Sequence, residues 1–242
     1  MKELFDNYYS ESGSQSNSQR PDKKTFELSS RKYKYNYKRF FNLLPCEATI
    51  LDVGCGQGQF LYYMKKENFH NVTGIDLSKS QIELALQMQP EMDFRHTGNP
   101  VDFLRNRPNH YDIIVMNDVL EHIEKKQVIS ILDAIHYSLK SNGRVIIKTV
   151  NAAYPLGFSQ RYNDFTHTVA FHEKSLTQLL RHTKFSDIRC YQEEIGLYNL
   201  LFVLKKSMVI AARFFLKVMI YLSESDWQKI VSVNLIAVGR KK

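Results

Sequence analysis

From residue 45 to 150 the chain alternates short apolar runs with segments of helical period. Thr49–Val53, Val72–Ile75, Asp93–His96, Tyr111–Asn117 and Arg144–Val150 read as strands. Between them, Gln59–Lys66 and Lys79–Gln89 read as helices, the second stopped by Pro90. Lys125–Leu139 is a longer helix, with apolar residues at 128, 131, 132, 135 and 139, and Asn142-Gly143 turns the chain into the next strand. Apolar strands spaced by single helices require a parallel sheet covered on both faces. After residue 150 the rhythm changes to a loop at 151–172, a helix at 173–183, a strand near 187–194, an apolar-basic segment at 197–222 and a last strand at Ile230–Val238. The sequence shows no internal repeat.

Upstream, residues 10–20 are Ser-rich and apolar-poor, so residues 1–28 are expected to form a flexible lead-in. A basic, Tyr-rich helix is expected at 29–44, ended by Pro45, and residues 29–242 are read as one domain. Within it, 45–150 is the regular core and 151–242 carries the later loop, helices and strands. The 3 Cys residues, Cys46, Cys55 and Cys190, are too few and too dispersed for a disulfide framework or zinc ribbon. With no secretory signal pattern in its opening residues, the chain is expected in the cytoplasm.

The net charge of +8 is unevenly placed. Residues 20–40 hold eight Lys/Arg against two acids, and residues 205–242 hold eight against two. Basic ends suit a polyanionic partner, although solubility alone accounts for them.

The sharpest chemical signal is Ile50-Leu51-Asp52-Val53-Gly54-Cys55-Gly56-Gln57-Gly58, where the first strand meets the first helix. Alternate glycines let backbone N–H groups approach a ligand, and the helix start adds partial positive charge. Dinucleotide dehydrogenases use a related turn, but their fingerprint requires Gly where Gln59 stands. Asp52 also places a carboxylate where a pyrophosphate would sit, which suits a cationic ligand instead. Asp76 closes the second strand, where a carboxylate accepts from both ribose hydroxyls. Gly98-Asn99 follows the third strand, and an Asn amide can pair with adenine.

Ile50–Gly58, Ile75-Asp76 and Tyr111–Ile123 together resemble class I S-adenosylmethionine-dependent methyltransferases over residues 45–150. The resemblance implies an α/β, Rossmann-like, seven-stranded and mostly parallel sheet with helices on both faces and an antiparallel last strand, which Asn234–Val238 would supply. It also implies S-adenosylmethionine as cofactor, held by Asp52, Gly54, Cys55, Gly56, Gly58, Asp76, Leu77, Gly98, Asn99 and Asn117. The family often has Asp at the position of Asn99. The 29–44 helix would be a lid, with Tyr33 or Tyr37 closing on the sulfonium.

Asp118, Glu121 and His122 would share one face of a helix, a set able to hold a divalent metal. A similar triplet binds metal in some ubiquinone-pathway O-methyltransferases. The stretch is also widespread in class I enzymes that need none, so these residues are read as pocket support and no metal is expected. Beyond the fifth strand, Tyr162-Asn163-Asp164-Phe165-Thr166-His167 carries a carboxylate and an imidazole. Methyl transfer to a hydroxyl needs a base, and His167 oriented by Asp164 suits that role, with His122 the second candidate. Tyr162–Leu180 resembles methyltransferases of bacterial surface-polysaccharide gene clusters, implying O-methylation of a carbohydrate or related small molecule.

The segment 198–222 looks apolar, but Lys205, Lys206, Arg213 and Lys217 fall at about 0°, 100°, 80° and 120° on a helix, one polar stripe. A spanning helix would bury four cations, so the expectations are a helix packed in a homodimer interface or over the active site, or a peripheral contact with the inner membrane face, the stripe at the headgroups. Two further functional readings remain. One is an RNA or nucleotide methyltransferase using the Tyr-rich basic helix, disfavoured against a small acceptor. The other is a cofactor-binding scaffold without chemistry.

Overall fold

The computed structural model describes residues 22–154, 157–196, 200–224, 227 and 229–242. Its elements are α1 (Lys23–Phe41), β1 (Ile50–Val53), α2 (Gln59–Lys66), β2 (Val72–Asp76), α3 (Lys79–Met88), β3 (Asp93–His96), α4 (Pro100–Arg105) and β4 (Tyr111–Asn117). A short 3-10 turn, Leu120–His122, leads to α5 (Lys125–Ser138), β5 (Leu139–Val150), α6 (Gly157–Tyr162), α7 (Glu173–His182), β6 (Ser186–Gln192), α8 (Leu200–Glu224) and β7 (Asn234–Arg240). The strands form a seven-stranded sheet in the order β3-β2-β1-β4-β5-β7-β6. The first five are parallel, and β7 runs antiparallel between β5 and β6. This is the expected Rossmann-like sheet, with its strand order reversing between β1 and β4, where ligands of such sheets bind.

Alternation along the strands sorts the core into two layers. Leu51, Val53, Ile114, Met116, Val145 and Ile147 face α5 and α7. Ile50, Ile113, Val115 and Ile146 face Phe40 and Phe41 of α1 and Phe60, Tyr63 and Met64 of α2. Period-2 placement of fully buried side chains on both faces explains why these strands read as continuous apolar runs.

Several boundaries differ from expectation. The first helix begins at Lys23, not 29, because Asp22 caps it, accepting from the Thr25 N–H at 2.7 Å. Phe26 then buries its ring against Tyr62, which pins the first turn. Residues 22–28 therefore belong to the fold, while the rest of the expected flexible segment, 1–21, lies outside the described residues. The helix ends at Phe41, short of 44. Its aromatic residues Tyr37, Phe40 and Phe41 lie in the core rather than on a nucleic-acid-stacking surface. Lys32 and Lys34 pair with Glu193 and Glu67, so the basic helix is partly neutralised within the chain. The last strand starts at Asn234 instead of Ile230.

The apolar-basic segment forms one unbroken helix, α8, from Leu200, and its expected start at 197–199 lies outside the described residues. Half of its polar stripe, Lys206 and Arg213, turns the opposite way from the expected membrane posture, while Lys205 stays exposed. Arg213 bonds to Glu194 and to the Glu193 carbonyl, and Lys206 to the Tyr35 hydroxyl, so these cations face the body. Leu201, Leu204, Met208, Phe215 and Leu222 face outward. Among the described residues no helix is long and apolar enough to cross a membrane.

Candidate active site

A cavity of about 970 Å³ opens at the carboxyl ends of β1, β2 and β4. The β1–α2 loop forms its floor. Gly54 and Gly58 sit at φ +77° and +85°, and a Cβ there would lie 2.3 Å from Val119 Cγ2 and 2.4 Å from Phe94 Cζ respectively. Only glycine meets both the left-handed backbone and the close approach. Gly56 is left-handed as well, and its N–H donates to Asp76 Oδ2 at 2.8 Å. Ser78 N–H donates to Asp76 Oδ1 at 2.8 Å. Asp76 thus ties the loop to β2 while lining the cavity, and burial raises its pKa against these backbone bonds.

Asp52 is the anomaly of the floor. It is buried, and its Oδ1 has no hydrogen-bond partner. Burial, with the Asp76 charge behind it, pushes its carboxyl up to about 8. A carboxylate so placed is costly unless a cationic ligand meets it. Asn117, at the end of β4, likewise keeps a buried Nδ2 without a partner, while its Oδ1 accepts from the Tyr37 hydroxyl at 2.5 Å.

Cys55, Leu77, Gly98, Asn99 and Tyr33 also line the cavity. The Asn99 amide is already engaged. It caps α4 by accepting from Val101 N–H at 3.0 Å, and it donates to Asp102 Oδ2 at 2.7 Å. Tyr37 does not line this cavity: its ring is buried and its hydroxyl is held by Asn117, so of the two tyrosines only Tyr33 reaches the cleft.

The expected one-face triplet after β4 does not form. Asp118 adopts φ +55°, and its Oδ2 lies 2.6 Å from Lys148 Nζ. Glu121 turns inward, accepting from the Thr149 hydroxyl at 2.9 Å, and burial raises its carboxyl to about 8, with Asp118 adding to it. His122 instead meets His167, their ring centroids 4.6 Å apart. Among the described residues, ligand atoms of Glu121, His122 and His167 lie within 4.8 Å of one another, the set whose spacing would admit a metal.

The 160–168 loop is tied down at several points. Thr168 N–H donates to the Glu121 carbonyl at 2.7 Å, and Arg161 reaches the carbonyls of His167 and Thr168. Thr166 links the two site loops, since its hydroxyl lies 2.8 Å from His122 Nδ1 and donates to Asp164 Oδ1. His167 Nδ1 lies 2.8 Å from the Gln160 carbonyl, which can only accept. The proton therefore sits on Nδ1 and the basic lone pair on Nε2, 3.9 Å from Asp164 Oδ2. His122 is held toward its neutral form by burial first and by His167 second. Lys148 escaped the sequence reading, and its signal was a lone cation in the apolar run Val145–Val150.

Comparison with known proteins agrees with this architecture. A family profile described as a methyltransferase domain matches residues 25–189. The ubiquinone biosynthesis O-methyltransferase of Rickettsia typhi is 36% identical over 104 residues, covering 42% of this chain and 41% of that protein. Its counterpart in Nitrosomonas europaea is 31% identical over 113 residues, covering 43% and 45%. The chain thus spans less than half the length of these curated relatives. In overall fold it is similar to a SAM-dependent methyltransferase of Archaeoglobus fulgidus, with a TM-score of 0.66, 17% identity and 98% coverage of both chains. It is also similar to phosphoethanolamine N-methyltransferase 2 of Haemonchus contortus, solved with S-adenosyl-L-methionine, with a TM-score of 0.64 and 14% identity over 98% of this chain and 60% of that one. With its glycine loop and seven-stranded sheet, the chain belongs to the methyltransferase domain family.

Proposed function

We propose that the chain methylates a hydroxyl oxygen of a small, hydroxyl-rich acceptor of carbohydrate type. One observation carries the reading: a single cavity joins the Asp52 carboxylate, whose buried Oδ1 lacks a partner, to an imidazole, His167, whose tautomer leaves the lone pair on Nε2.

The residues fit the cofactor. Asp52 would meet its cationic methionyl end, Gly54–Gly58 admit it to backbone distance, and Asp76 retains lone pairs for the ribose hydroxyls. The bound group supplies an electrophilic methyl on a positively charged sulfur. The enzyme's task is then to place an acceptor oxygen in line and remove its proton as the C–O bond forms and the C–S electron pair returns to sulfur. His167 Nε2 accepts that proton, the Gln160 carbonyl holds the ring through Nδ1–H, and Asp164 stabilises the imidazolium.

S-adenosylhomocysteine release against a panel of nucleotide sugars, simple glycosides, dihydroxyarenes and RNA tests the reading. Release with a sugar acceptor, lost in His167→Ala, supports it, and release with RNA alone contradicts it. The relatives named as ubiquinone biosynthesis O-methyltransferases favour a second reading, a phenolic hydroxyl, and release confined to the dihydroxyarenes would select it.

A further inference from the structure

A second, smaller cavity of about 250 Å³ lies beside the cofactor cleft, between α1 and the ends of β4 and β5. Tyr33, Gln59 and Asp118 line both, so the two spaces share a wall. On its far side stands Lys148, a lysine on the inward face of a core strand with only 6% of its side chain exposed. Its ammonium lies 2.6 Å from Asp118 Oδ2 and 4.0 Å from Glu193 Oε1. Glu193 is itself held by Lys32 at 3.0 Å and by the Asn234 amide at 3.0 Å. Burial opposes the Lys148 charge, but the Asp118 and Glu193 carboxylates more than restore it, and the amine stays protonated.

A buried cation on a core strand is a costly feature that needs a compensating use. Packing does not require one here, since Ile146 on the same face is fully apolar and buried. Two cations, Lys32 and Lys148, face two carboxylates, Asp118 and Glu193, so the lining is balanced in charge and dense in hydrogen-bonding groups. Such a lining rejects an alkyl chain or a bare aromatic ring, which would strand its polar groups, and gives a net-charged ligand no preferred sign. It suits a neutral group rich in hydroxyls. The volume is that of about eight waters of bulk liquid, enough for one sugar ring.

We propose that this cavity is the acceptor site, taking one neutral sugar ring whose hydroxyls exchange hydrogen bonds with Lys148, Asp118 and Glu193 and whose reacting oxygen passes the Asp118 wall toward the cofactor cleft. The proposal rests on the methyltransferase reading above and names its substrate class. Lys148 binds and orients the acceptor and takes no part in the proton transfer. The left-handed backbone of Asp118 turns its carboxylate toward Lys148 at the boundary of the two spaces.

The experiment has two arms, both on the full chain. Crystals grown with S-adenosylhomocysteine are soaked in methyl α-glucopyranoside. Ring density between α1 and β5, against Lys148, supports the site, and density elsewhere or none overturns it. In solution, Ser29→Trp fills the cavity from α1, and Lys148→Met removes the ammonium while keeping the stem. Ser29→Trp is expected to leave the Kd for S-adenosylmethionine within twofold, and both variants to lower kcat/KM for the acceptor at least tenfold, Lys148→Met acting through KM. Full kcat/KM in Ser29→Trp would refute the acceptor site while the methyltransferase reading stands. Failure of the wild type to bind S-adenosylmethionine would instead sink that earlier reading.

Discussion

Asp52→Asn removes the charge from a buried carboxyl while keeping its shape. In the free protein that carboxyl is pushed up to about 8, so at pH 7 only about a tenth of the molecules carry the ionised form, and at pH 6 about a hundredth. A cationic ligand binds the ionised form, and the apparent affinity falls with the competent fraction, about tenfold per pH unit below 8. Between pH 9 and 6 this amounts to on the order of 100-fold, or about 2.7 kcal/mol. The sign follows from the charge: the ligand favours the carboxylate, so binding releases a proton below pH 8. The ligand's own α-amine titrates near the same range, at about 7.7–8.0. Asp52→Asn supplies that background, because its remaining pH dependence belongs to the ligand. Calorimetry with S-adenosylmethionine from pH 6 to 9, in two buffers of different ionisation enthalpy, should show the variant at least tenfold weaker than wild type at pH 9 and nearly equal at pH 6. Only wild type should show the additional proton release. Parallel affinity curves for the two proteins would refute the reasoning.

The same substitution has a counterpart in stability. A folded-state pKa raised from 3.8 to about 8 means that the ligand-free protein loses stability from this group as pH rises from about 4 to 8. Asp52→Asn should therefore melt higher than wild type at pH 8–9 and alike near pH 4, and a lower melting point at pH 9 would contradict this. Gly54→Ala must hold φ +77° and place a Cβ against Val119. Strain of about 1–3 kcal/mol should lower the Tm by roughly 3–10 °C and abolish cofactor binding, with a wild-type melt as the contrary result. His167→Ala should reduce kcat by about 10²–10⁴ with cofactor affinity within twofold, and an unchanged kcat would remove it as the base. Because the buried Glu121 carboxyl already accepts from the Thr149 hydroxyl, turnover should survive prolonged dialysis against a chelator. Loss restored by a divalent cation would show that the Glu121, His122 and His167 set binds one.

The β1–α2 loop and the sheet were legible because their signals are local. Gly54, Gly56, Gly58 and Asp76 lie where the chain alternates strand and helix, and nothing tertiary overrides them. The first-helix start rests on the Asp22 cap, masked by the polar stretch before it, and on burial of Phe26 against a residue 36 positions away, Tyr62. Helix α4 has only 6 residues, too short for a period, and its cap is the same Asn99 that the motif offered to adenine. The Asp118, Glu121 and His122 set looked continuous in sequence. One left-handed residue, Asp118, parts it and brings His167 in from 45 positions on. Lys148 and the reversed half of the α8 polar stripe shared one cause. Their partners, Asp118, Glu193 and Glu194, lie outside any local window, so pattern alone could not say which way the cations turn.

The central claim is that the cleft over Asp52 and the glycine loop grips a positively charged sulfur nucleoside. Direct titration of the wild-type chain with S-adenosylmethionine, repeated with NAD, tests it most plainly. Saturable 1:1 binding of the first and no heat with the second is the predicted result. No binding of S-adenosylmethionine, or its displacement by NAD, would contradict the account.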